Sequence, residues 1–125
     1  MSEQTATPKL DYEGKAWIFM RYSSILLIPL VWFHILWQDV IIGVHDIDLN
    51  YVLQRWNNIG LQIYDIALLT FAFAHGMNGL RQVLMDYIHG EVARKRVSTI
   101  VFILWLAISV IGGLAIIAAA KAHLN

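Results

Sequence analysis

Cysteine is absent from the 125-residue chain. That excludes disulfides, thiolate-held iron–sulfur clusters and tetrathiolate zinc. Charge is also scarce: Asp, Glu, Lys and Arg make up 14% of the residues, where a soluble domain carries roughly a quarter. Nine acidic side chains balance nine basic ones. A net charge of zero offers nothing to attract nucleic acid, and none is expected as a partner. The N-terminal stretch MSEQTATPKLDYEGK is polar and has no short apolar core followed by a small-residue cleavage site. No signal peptide is therefore expected, and the first apolar run should remain as a membrane helix. The chain has neither an internal repeat nor a low-complexity segment, and its length is that of one small domain.

Apolar residues are abundant, at 58% of the chain. They gather in three runs, at about residues 16–42, 61–84 and 98–120. Roughly 20 apolar residues cross the hydrocarbon core of a bilayer, so each run is long enough. A backbone inside lipid must satisfy its own hydrogen bonds, so each run should be helical. The expected fold is all-α: an integral membrane protein of three transmembrane helices that pack with a partner into a bundle. Residues 1–15 would be a cytoplasmic segment, 16–120 the transmembrane domain and 121–125 a short outer tail. Pro29 lacks a backbone donor and should kink the first helix.

Lys and Arg near helix ends set orientation. Lys9, Lys15 and Arg21 precede or open the first run, and Arg94, Lys95 and Arg96 separate the second from the third. The first connection has only Arg55, against Asp46 and Asp48. The N-terminus and the Arg94–Arg96 loop should face the cytoplasm, and the C-terminus, with Lys121, the outside. Trp17 suits an inner aromatic belt, and Trp37 and Trp56 an outer one.

Ionisable groups inside a span are costly and usually functional. His75 lies near the middle of the second run, in LLTFAFAHGMNGLRQVLMDY. Helical spacing puts His75, Gly79, Gln82 and Asp86 on one stripe. An imidazole with a glycine one turn away suits a heme, which takes one as axial ligand and lies flat against the other. The same residues also suit a histidine bonded to a neighbouring helix, with glycine for close packing. His34, in LLIPLVWFHILWQD, suits an axial ligand or an interfacial side chain reaching the headgroups. Arg21, Ser23 and Ser24 open the first helix; an arginine there pairs with a heme propionate, polarises a quinone carbonyl with help from a serine, or simply anchors the helix. Arg81 snorkels or joins the propionate pair. Asp86 and Tyr87 close the second helix, where a tyrosine hydroxyl can donate to a quinone carbonyl and a carboxylate can orient it; a polar helix end would carry the same residues. His45, His89 and His123 should be solvated. Ser109, Gly112, Gly113, Ala115 and Ala118–Ala120 give the third helix a packing surface.

These residues carry a resemblance. The segment AWIFMRYSSILLIPLVWFHI is similar to the first helix of the smaller hydrophobic membrane anchor of succinate dehydrogenase (complex II). The stretch DLNYVLQRWNNIGLQIYDIALLTFAFAHGMNGLRQVLMDYI resembles its connection and second helix. The spacing of His75, Gly79, Val83, Leu84, Asp86 and Tyr87 follows the family's histidine-to-aspartate-tyrosine pattern. The likeness covers about residues 12–112 and is nearest the bacterial and archaeal type with two anchor chains. It implies that His75 is the metal ligand, an axial histidine of heme b, with the other axial histidine coming from the partner, the second cytochrome b anchor chain. It implies a quinone, menaquinone or ubiquinone, bound by Tyr87 with Asp86; Ser24, which stands where many relatives have glycine, is assigned to the same quinone site from its place beside Arg21 rather than from the resemblance. Arg21 and Arg81 are assigned to the heme propionates. His34 matches a first-helix histidine of members with a second heme. The implied function is that of a non-catalytic anchor in succinate:quinone oxidoreductase of the tricarboxylic acid cycle. Electrons from succinate would pass through a flavoprotein subunit and an iron–sulfur subunit to quinone. The alternatives are a heme-free anchor, the equivalent anchor of a quinol:fumarate reductase, and a self-contained cytochrome whose one heme bridges His34 and His75.

Overall fold

The computed structural model describes residues 11–122. Lys9 of the expected basic flank and His123 of the expected tail lie outside them, with most of the 1–15 segment and the end of the 121–125 tail. Among the described residues the regular structure is entirely helical: α1 (Tyr12–Ile35), α2 (Leu49–Asn57), α3 (Ile59–Tyr87) and α4 (Glu91–Ala122). Three helical stretches are long and apolar enough to cross a membrane: α1 with its continuation to Asp46, α3, and α4. The expected all-α, three-span architecture is the one the chain adopts. Each apolar run sits inside a longer helix. The 29 residues of α3 reach about 43 Å, beyond a hydrocarbon core of about 30 Å. The polar helix ends therefore continue into the headgroup layers.

Side chains start these helices by capping free backbone donors. Asp11 accepts from the Gly14 amide at 2.8 Å, Asp48 from the Tyr51 amide at 2.7 Å, and Asn58 from the Gly60 amide at 2.9 Å. Gly90, with φ of 120°, turns the chain between α3 and α4 in a conformation that a side chain would strain. The α-helical register runs through Pro29 as far as Ile35; the departure from α geometry comes at Leu36–Gly43, which is π-helical. Such wide turns are rare and gather at functional positions. The connection at residues 43–60 is not a bare loop: it contains α2, which packs on α3 and α4.

Helix α3 is central and packs against α1, α2 and α4. Its seam with α4 uses small residues, as the sequence suggests. Gly112 lies against Leu69, where an added Cβ would meet Leu69 Cδ2 at 2.5 Å, and Gly113 faces Ile66. The Trp105 indole donates across the seam to the Thr70 carbonyl at 3.1 Å. Burial is inverted relative to a water-soluble protein. Ser23, Arg55, Gln62 and Arg81 are buried, while Ile25, Ile28, Trp32, Ile111 and Leu114 are exposed. That arrangement suits hydrocarbon, where outward apolar side chains cost nothing and inward polar ones find partners.

The Gly112 contact generates a prediction. A Gly112→Val exchange should destabilise the purified protein by about 1–3 kcal/mol, the usual range for overpacking. Gly112→Ala should cost less, because the Leu69 methyl it meets is the mobile end of a side chain. Thermal unfolding in detergent measures both, and equal melting points for Val and wild type would contradict the close seam.

Candidate functional site

Helix α3 carries an acid, an imidazole and a guanidinium that each meet a different residue elsewhere in the chain. His75 is the middle one. Its Nδ1 lies 2.8 Å from the Ser23 hydroxyl oxygen on α1. Ser23 is 4% exposed, and its hydroxyl also reaches the Met20 carbonyl at 3.3 Å. His75 itself is half-buried, and its Nε2 has no hydrogen-bond partner among the described residues. The two nearby glycines divide the work foreseen for one. Gly79 faces Met20, whose Cε would lie 3.5 Å from an added Cβ, so it serves α1–α3 packing. Gly76 has open space where a Cβ would stand. Gly76 belongs to a continuous exposed stripe of α3 with Phe73, Leu80, Val83 and Tyr87.

Towards the C-terminal end of α3, Arg81 is 2% exposed. Its guanidinium grips both Glu13 carboxylate oxygens, at 2.7 and 3.0 Å, and its Nε donates to Asn78 Oδ1 at 3.1 Å. The Tyr12 ring lies 5.0 Å below it. Asn78 in turn donates to the Ala16 carbonyl at 3.2 Å. Arg81 is thus occupied by partners on its own chain. Arg21 is exposed, with its guanidinium 4.8 Å from the Trp17 ring. Ser24, half-buried, donates to the Arg21 carbonyl at 2.7 Å. Asp86 is exposed, and Tyr87 is 77% exposed. Tyr87, Asp86 and Arg21 therefore face outward on a single chain, while Ser24 is half-buried.

The opposite end holds residues that the sequence reading did not single out. Asp65 of α3 accepts from Arg55 Nε and Nη2 at 2.9 and 2.8 Å, and from the Trp56 indole at 3.0 Å. These bonds from Asp65 raise Arg55 above its ordinary pKa, against the opposing effect of burial, so it stays charged. His34 lies beside the pair, with Nδ1 buried, unpartnered and 3.9 Å from Asp65. Its ring stacks on Tyr64, whose hydroxyl donates to the Leu30 carbonyl. Tyr51 of α2 donates to Gln38 of the π-helical stretch at 2.9 Å. A cavity of about 350 Å³ opens here between His34, Gln38, Arg55, Asp65 and Phe73. The missed signal was legible: Asp65 is an acid inside an apolar run, and Arg55 is the single basic residue of the preceding connection.

His34 and His75 are not brought together. His34 neighbours Asp65, ten residues before His75 on α3, which is about 15 Å along a helix. On this chain the two imidazoles thus keep different neighbours, Asp65 for His34 and Ser23 for His75.

The family model for the succinate dehydrogenase/fumarate reductase transmembrane subunit matches residues 1–116. The chain belongs to this succinate dehydrogenase/fumarate reductase transmembrane subunit family. Among curated proteins, nothing matches it. Members of the family are membrane subunits of succinate dehydrogenase/fumarate reductase complexes, which implies partner subunits. The donor set at His75 fits an axial ligand to heme: one ring nitrogen is held by a neighbouring helix, the other is free, and the adjacent Gly76 is open.

The Asp65 cluster of this family member carries its own prediction. Removing one member of a buried pair strands the other, at a cost of about 3–5 kcal/mol. Asp65→Asn and Arg55→Met should each lower the yield and melting temperature of the complex. The Asp65→Asn, Arg55→Met double variant should lose less stability than the two single losses added together. A double variant as poor as the sum of the two would contradict a mutually dependent pair.

Proposed function

We propose that the chain is the smaller membrane anchor of a succinate:quinone oxidoreductase with two anchor chains. In this reading His75 would be one protein ligand of a heme b, and the second cytochrome b anchor would supply the other. The observation that carries it is the mid-span imidazole with Nδ1 engaged by Ser23 and Nε2 free beside Gly76. A histidine used only for packing would need no free nitrogen in hydrocarbon, where an unsatisfied polar atom is costly. A heme b held by these two imidazoles would supply one-electron transfer.

The quinone site is assigned to Tyr87, with Asp86, Ser24 and Arg21, at the basic end of the bundle. There the exposed Tyr87 hydroxyl is free to donate to a quinone carbonyl, with Asp86 beside it. Arg21 is the cation this reading gives to a heme propionate, since Arg81 is already paired with Glu13. The same end carries Lys15, Arg94, Lys95 and Arg96, so it is assigned to the cytoplasm, where the flavoprotein and iron–sulfur subunits would dock. The C-terminus then lies outside. The exposed α3 stripe from Phe73 to Tyr87 is the face given to the second anchor. His34 would serve a second heme only in a complex that contains two.

Optical spectra test the heme assignment. His75→Ala should abolish the dithionite-reduced b-type band of this heme while the four subunits still co-purify. A band of wild-type height in that variant would overturn the reading and leave a heme-free anchor. Heme quantitation per complex decides the role of His34. Tyr87→Phe should keep the band and slow succinate-driven quinone reduction by roughly three- to ten-fold, the worth of one hydrogen bond. Unchanged turnover would remove Tyr87 from the quinone site.

A further inference from the structure

We propose that Ser23 is the positioning residue for His75: it sets which ring nitrogen carries the proton, and through that the electron donation of the ligand. The inference rests on the reading that His75 holds a heme, and adds a role for Ser23, which that reading uses only as the group that occupies Nδ1.

The hydroxyl of Ser23 has one proton to give and lone pairs to accept with. Two arrangements are open to it. In one, Ser23 donates to His75 Nδ1, the imidazole proton sits on Nε2, and that N–H has no partner among the described residues. In the other, Ser23 donates to the Met20 carbonyl at 3.3 Å and accepts from the His75 Nδ1–H at 2.8 Å. The second makes two hydrogen bonds where the first makes one, and leaves no donor stranded. Ser23 is 4% exposed, and the two-bond arrangement is favoured there because it satisfies both the buried hydroxyl and the ring N–H beside it. The relay His75 N–H to Ser23 hydroxyl to Met20 carbonyl therefore frees Nε2 as a lone pair. It also fixes the ring against α1 and increases ligand basicity, as acceptors behind ligating histidines do. The acceptor is a neutral hydroxyl, so this increase is smaller than a carboxylate would give.

Ser24, one residue on, cannot take this part. Its hydroxyl is turned back to the Arg21 carbonyl at 2.7 Å. Nor is Ser23 simply an element of helix packing. Gly79 and Met20 already close the α1–α3 seam one turn away, and the serine is the group that reaches the imidazole.

Potentiometric titration of the purified four-chain complex tests this. Ser23→Ala should weaken heme retention about ten-fold. It should also raise the midpoint potential of the remaining heme, since a less basic ligand stabilises ferric iron less. Ser23→Thr, which keeps the hydroxyl, should restore both. Ser23→Cys, a weaker acceptor of similar size, should lie between and gives the answer if Ser23→Ala fails to assemble. A wild-type potential and wild-type heme content in Ser23→Ala, or in Ser23→Cys when only that assembles, would overturn the proposal; so would a lower melting point with an unchanged potential, the mark of a packing role. If those variants match wild type while His75→Ala loses the band, the ligand assignment stands and only Ser23 is removed. If His75→Ala keeps the band, both fall.

Discussion

Water is not available inside the hydrocarbon, and that constraint organises this bundle more than any apolar contact does. Helix α3 carries an acid, an imidazole and a guanidinium across the membrane. Each must find its partner on the chain itself. Asp65 finds Arg55 and Trp56, His75 finds Ser23, and Arg81 finds Glu13. The three positions are about 15 Å and then about 9 Å apart along the helix. Sliding α1 against α3 by one turn would break the His75 and Arg81 bridges together, so the register of that pair is set by polar bonds. Apolar side chains facing lipid tails supply no comparable preference, because lipid is as apolar as leucine. The α3–α4 seam is set differently, by Gly112 and Gly113 letting Leu69 and Ile66 approach.

The two ion pairs also clear the ground for the middle position. Arg81 and Asp65 are neutralised by partners that grip them on two atoms each, so neither leaves an unpaired charge on the helix that holds His75. His75 differs from both in being half-satisfied: one nitrogen is bound and one is free. A free nitrogen in a low-dielectric interior is unfavourable unless something else binds it. The proposed heme is that something. Beside it runs the exposed stripe from Phe73 through Gly76 to Tyr87.

Much of this was legible in order along the chain. Three apolar runs dictated three helices, because a backbone in lipid has few other ways to satisfy its hydrogen bonds. The small residues of the last run announced a packing seam, and His75 stood out because imidazoles are rare at that depth. Less legible were features set by partners distant in sequence. Arg81 reads as a free cation for a propionate until Glu13, 68 residues away, is seen to hold it. Gly79 reads as the open side of a heme site until Met20 is seen against it, with the open space beside Gly76 instead. Pro29 draws attention as the irregular point of α1, yet the change of helical geometry lies at Leu36–Gly43, near where Tyr51 of α2 reaches Gln38.

Hydropathy and length alone determined the number of spans and the all-helical fold, since both follow from one-dimensional rules of transfer and hydrogen bonding. Which polar residues would be consumed by structure, and which left with spare bonding capacity, was decided only when the helices met. A guanidinium and an imidazole look equally available in a string of letters. Their availability depends on atoms that packing brings into hydrogen-bond range, and those atoms belong to residues tens of positions away.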